Sequence, residues 1–324
     1  MAVRGWGGSV VTAIGIAAGA GAAQLGLGYG LGIIAWLPSG EDGTDTVWVG
    51  NIAWTIWIGA TATVFGAVGA QRTSAVEVAA GARGSAVTTL LSRVTLAVAA
   101  ALGALVTVAL VAIPARAATR ADTFSPQTIA AGHAVVGVLC GLLAALWALT
   151  SRAAARNLTL TTGWLWLLAV IAVTDSALTG PGLTTVPPGV WKLTDTGDEF
   201  WIGGYIYWPG VLLSLAAAIV IGAVAAWPVA RRTTNRVGPA ISGGFGPLLL
   251  AAAYFLAAPR LAGVHGEQLS AHLLAPYGVI VGLAGSLLAT ALIQRHIPRT
   301  RAARRRAEKA TTTASPVMSS SSRP

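Results

Sequence analysis

The chain of 324 residues is 55% hydrophobic and only 10% charged, with a mean hydropathy of +0.70. That is membrane composition and excludes a soluble globular core as the main architecture. Much of the excess behind the net charge of +10 sits in one tail, Arg295 to Lys309, and the rest in short loops; no basic face is interleaved with aromatics, which excludes nucleic acid as a partner.

A spanning helix needs about 20 mostly apolar residues. Eight stretches qualify: 9–37, 46–70, 94–115, 127–150, 159–178, 201–228, 239–260 and 269–293. The expected fold is therefore an all-α integral membrane protein of about eight transmembrane helices. In the first stretch Arg4 and the small residues Gly19 to Ala23 resemble a cleavable signal, but the uncharged run continues to Leu37, too long for one. An uncleaved helix is expected there. Within it, Gly26, Gly28, Gly30 and Gly32 read as a close-packing face or a break, and Gly15 with Gly19 as a small-xxx-small packing pair, like Gly137 with Gly141 in the fourth stretch.

Between the first two stretches lies Asp42-Gly-Thr-Asp45-Thr-Val-Trp48-Val-Gly50, whose D-x-x-D-x-x-W-x-G frame recurs as Asp195-Thr-Gly-Asp198-Glu-Phe-Trp201-Ile-Gly203, 153 residues on. Each copy reads as the outer mouth of a membrane helix, with Asp45 and Asp198 as helix caps, the tryptophans as interface anchors and the glycines as packing contacts. At an offset of 145, Pro114 also matches Pro259, Gly137 matches Gly282 and Leu142-Leu143-Ala144 matches Leu287-Leu288-Ala289. These matches predict two tandem four-helix repeats in parallel orientation, related by an axis along the membrane normal. The expected division is 1–150 for the first repeat, 151–297 for the second, and 298–324 for a basic, then Ser/Thr-rich, disordered cytoplasmic tail.

The arginines give the orientation. Arg4, Arg72, Arg83, Arg93, Arg152, Arg156, Arg231, Arg232, Arg236 and the tail fall in one set of connections, while the alternate set is acidic. The positive-inside rule places both termini on the cytoplasmic side of the plasma membrane. Beyond the bilayer itself, the partners expected are anionic lipid at the basic tail and a small solute or a membrane-protein partner.

Two polar residues lie within the spans. Asp175 stands alone in the fifth, in the outer third of the membrane, and Gln24 lies at similar depth in the first as its candidate partner. With Asp42, Asp45, Asp195 and Asp198 ringing an outer vestibule, they make up a candidate solute pathway, one that would gather cations or amines. The histidines are scattered without zinc spacing, no catalytic constellation or phosphate loop is present, and Cys140 alone excludes an intrachain disulfide. Neither enzyme activity, nor a metal, nor a cofactor is expected. The leading expectation is a small-solute transporter or permease; the alternative is a non-catalytic scaffold or assembly component of the cell envelope.

Overall fold

The computed structural model describes residues 7–36, 44–78, 86–118, 125–180, 184–191, 200–232, 237–259, 261, 264 and 266–313. Among the described residues ten helices make up eight spans: α1 Gly7–Gly30, α2 Thr44–Val78, α3 Ala86–Ala104 with α4 Val106–Ala115, α5 Pro126–Thr150, α6 Arg152–Thr179, α7 Trp208–Ala230, α8 Val237–Ile241 with α9 Phe245–Ala257, and α10 Gly266–Thr313. Each is long and apolar enough to cross a bilayer, so the chain is a multi-pass membrane protein.

Local chemistry sets several of the helix ends. Proline opens α5 and α7, where its missing N–H has no intrahelical partner to lose. Between α5 and α6 stands only Ser151, whose extended backbone breaks the helix while its Oγ accepts Ala154 N–H at 3.2 Å. Gly180, with φ of 110°, ends α6 in the left-handed conformation. The connection 71–93 is shorter than expected because α2 runs on to Val78 and α3 starts at Ala86. Likewise α10 continues through the basic stretch to Thr313, so the tail that the sequence marks as disordered is helical as far as the described residues reach.

The same packing order occurs in both halves. In the first, α1 packs on α2 and α3, α2 packs on every other span, and α2 against α5 is the most extensive contact; in the second, α6 packs on α7 and α9, and α7 against α10 is the most extensive. Glycines make these close approaches. A methyl on Gly137 or Gly141 would strike the α2 backbone at Ile56 or Ala60, and one on Gly282 would strike Gly243. Lipid gives helices no hydrophobic reason to associate, so this backbone proximity is what holds them. Gly15 and Gly19, by contrast, have open space around them and do not pack, and of Gly26, Gly28 and Gly30 only Gly28 is a contact, against Ile34 and Trp166.

Across the seam the first half offers α2 and α5, and the second offers α6 and α9. A half-turn about the membrane normal would bring equivalent spans together. Here the spans that meet across the seam are non-equivalent ones. α2 is the core of the whole molecule, with Ile52, Trp54, Ile56, Trp57 and Ile58 all essentially inaccessible.

The two acidic motifs fold differently. Trp48 and Gly50 lie inside α2, where Gly50 seats Pro187 of the outer loop 184–191 and Trp48 packs edge-on to Trp36 with ring centres 5.3 Å apart. Trp201 and Gly203 lie instead in a two-stranded hairpin, Trp201–Ile202 against Ile206–Tyr207. Gly203 and Gly204 supply its turn at φ of 62° and 74°, and the helix begins only at Trp208. The second motif therefore does not open a helix as the first does.

Candidate functional site

The span formed by α8 and α9 is interrupted in the run Ser242-Gly-Gly-Phe-Gly-Pro247, where a short 3₁₀ turn, Ser242–Gly244, replaces regular helix. Glycines and a proline weaken the helical ladder there, and the freed backbone groups need partners because lipid supplies none. Asn157 of α6 supplies two: its Nδ2 donates to Gly243 O at 3.2 Å and its Oδ1 accepts from Gly246 N at 2.7 Å. Ser286 of α10 supplies two more, its Oγ accepting from Gly243 N at 3.1 Å and donating to Ala240 O. The span is broken but its backbone is satisfied. The third span of the first half is also interrupted, between α3 and α4 at Leu105.

Between this break and the loop 184–191, among α6, α7, α9 and α10, is a cavity of about 90 Å³. Its walls are mainly apolar, including Leu165, Ala218 and Leu250, with Pro247 at the break. Aromatic rings of Trp164, Trp191, Tyr207 and Tyr254 also line it, while Thr161, Ser214 and Ser270 contribute hydroxyls. Ser270 Oγ is engaged, accepting Tyr207 N–H at 3.1 Å. Thr161 is not: it is 95% buried and its Oγ makes no hydrogen bond among the described residues. That oxygen is itself inaccessible and lies beside Gly246 at the break, an unmatched hydroxyl that costs about 1–3 kcal/mol.

The loop 184–191 lines one end. Gly189, Val190 and Trp191 roof the cavity. Three hydrogen bonds hold that loop: Trp54 Nε1 donates to Val186 O at 2.7 Å, Val186 N donates to Ile33 O at 3.3 Å, and the Tyr254 hydroxyl donates to Pro188 O. The roof of a cavity in the second half is thus pinned by residues of the first.

The residues singled out in the sequence fall elsewhere. Gln24 sits at the seam, its Oε1 accepting from Trp166 Nε1 at 3.1 Å, with Thr61 Oγ1 3.3 Å away. Asp175 lies nine residues further along α6 than Trp166, about 13 Å outward, so the structure does not pair it with Gln24. Asp175 is half-buried at the outer end of α6 and lines no part of the cavity. Asp45 is the second residue of α2, and its side chain lies outside the described residues, as do Asp42, Asp195 and Asp198 altogether.

Sequence reading passed over Asn157, Thr161 and Ser286, and set His272 aside among the scattered histidines. The glycine and proline cluster 243–247 was the available signal for the break, since such clusters interrupt helices in lipid. His272 is wholly buried, with neither ring nitrogen bonded among the described residues. It packs between Phe255 and Tyr254, ring centres 4.9 and 5.3 Å away, on a face of α10 turned from the cavity. Comparison of the chain with protein-family models, with curated proteins and with solved structures finds no match in any of the three.

Proposed function

We propose that the protein is a permease for small uncharged solutes and that the cavity of the second bundle is its binding site. The observation that carries this reading is a mainly apolar cavity beside a broken helix, with the hydroxyl-bearing residues Thr161, Ser214 and Ser270 among its lining. Broken helices beside mid-membrane cavities are how many transporters present polar groups to a substrate. Among the described residues no Asp, Glu, Lys or Arg lines the space, and a charged guest would lose its hydration there without compensation. A molecule of a few heavy atoms with one hydroxyl, carbonyl or amide fits the volume of about 90 Å³. In this reading neither Asp175 nor the aspartates of the two motifs are needed to bind it.

The reading includes a duplicated architecture, two four-helix repeats in parallel orientation. Its support is the shared packing order of the halves and the equivalent positions of Gly137 and Gly282. It also includes a plasma-membrane location with both termini cytoplasmic, for which the arginine asymmetry is the support. A second reading, an assembly component of the envelope, is favoured by the hairpin tip, where Ile202 and Tyr205 are 60% and 64% exposed.

Swelling of proteoliposomes in glycerol, urea and acetamide tests the permease. Wild-type vesicles should admit at least one of these faster than protein-free vesicles. Ala218→Phe, which fills the cavity, and Thr161→Val should slow entry severalfold in protein that remains monodisperse, while Asp175→Asn should not. Entry at the protein-free rate for all three solutes would sink the permease and leave the assembly component as the leading reading.

A further inference from the structure

A second, polar groove of about 340 Å³ opens at the other end of the bundle, where α5 stops and α6 starts, against the end of α7 and the start of α8. Three guanidinium groups line it, Arg152 and Arg156 from the first turns of α6 and Arg232 from just beyond α7. None of its lining residues is acidic. The acidic residue whose side chain the structure describes is Asp175, nineteen residues along α6 from Arg156 and so about 28 Å away. The three guanidinium groups make no ion pair or hydrogen bond to protein among the described residues. Ser151 adds a hydroxyl: its oxygen accepts Ala154 N–H, which leaves its proton free to donate.

Three like charges repel unless an anion lies among them, and a planar guanidinium matches the oxygens of a phosphate with two parallel N–H donors. The groove also lies at the ends of four helical segments, the level at which lipid headgroups sit. An apolar track leads to it along α7: Val220, Val224 and Trp227 are exposed at helical spacing, and Arg231 lies over the Trp227 ring, 4.8 Å from its centre. A headgroup in the groove would leave its acyl chain along that stripe.

We propose that this groove binds the phosphate of an anionic phospholipid, held by Arg152, Arg156 and Arg232. The site is built on α6 and the end of α7, whereas the basic tail continues α10.

The full-length protein in mild detergent, titrated with phosphatidylglycerol, phosphatidylcholine or inorganic phosphate and read by native mass spectrometry, tests the proposal. One phosphatidylglycerol should be retained in preference to phosphatidylcholine. Arg156→Gln combined with Arg232→Gln should weaken that retention at least roughly tenfold, the loss of two charge-assisted contacts. Arg156→Lys combined with Arg232→Lys keeps charge and topology but loses the fork, so it should also bind more weakly, and it serves if the glutamine pair fails to fold. Arg301→Gln with Arg304→Gln and Arg305→Gln in the tail should leave retention unchanged. Displacement of the lipid by millimolar inorganic phosphate would keep the phosphate chemistry and make the ligand a free phosphate. Equal retention of phosphatidylcholine, or loss of lipid from the tail variant but not the groove variants, would overturn the proposal.

Discussion

Asn157 Oδ1 accepts the backbone N–H of Gly246 at 2.7 Å, a bond from the fifth span to the seventh that replaces one the broken helix cannot make for itself. The same carboxamide donates to Gly243 O, so one side chain serves both lips of the break. Asn157→Leu would orphan a buried donor and a buried acceptor, each at about 1–3 kcal/mol. Hydrogen bonds in membrane helices average nearer 0.6 kcal/mol because the chain unfolded in lipid also finds partners, which favours a total of about 1–3 kcal/mol. The detergent-solubilised variant should unfold at a distinctly lower temperature than wild type, whereas Thr159→Ala, at an exposed site on the same helix, should not. Equal midpoints for Asn157→Leu and wild type would show that the break supports itself.

The glycines divide into two classes with opposite expectations. Gly282 admits the backbone of Gly243, and any side chain there must push two helices apart. Gly282→Val should therefore leave little monodisperse protein on size-exclusion chromatography. A methyl added at Gly26 would meet nothing within 4 Å, and a glycine inside a helix costs about 0.5–1 kcal/mol relative to alanine. Gly26→Ala should be neutral or slightly stabilising. Similar losses at both positions would mean that composition, not contact, decides which glycines matter.

The roof over the cavity depends on the Tyr254 hydroxyl, which donates to Pro188 O at a fully buried site. Tyr254→Phe keeps the ring but releases the loop carbonyl. In a Cys140→Ala background, a cysteine at Ser214, which lines the cavity, should react slowly with a membrane-impermeant maleimide and several times faster once Tyr254→Phe is added. Trp54→Phe, which removes the bond to Val186 O, should act in the same direction. An unchanged labelling rate in both variants would show that the loop does not control entry.

Orientation has its own test, since the arginine asymmetry alone supports it. Tyr205 at the hairpin tip and Thr150 at the end of α5 are both exposed on the protein surface and lie at opposite ends of the spans. In cells carrying the Cys140→Ala background, Tyr205→Cys should be labelled from outside, and Thr150→Cys only after permeabilisation. The reverse pattern would invert the topology and place the arginine groove outside.

The sequence alone determined the eight spans, because a bilayer demands a long apolar run for each crossing and such runs can be counted without knowing what packs on what. Their ends were less legible. The repeated D-x-x-D-x-x-W-x-G frame opened a helix at Trp48 but a hairpin at Trp201, since Gly203-Gly204 adopts left-handed backbone there. Gly137 and Gly282, matched by the offset, both make tight contacts, but Gly137 meets α2 while Gly282 meets the turn at Gly243, which are not corresponding spans. Only the tertiary structure could decide which of the 40 glycines make such contacts, and that Asn157 reaches a break 86 residues away. It also left Thr161 without a partner and gathered Arg152, Arg156 and Arg232 around one groove. Composition and period specify how each segment meets the bilayer. Which polar atoms pair, and which are left open, depends on distances between segments far apart in the chain.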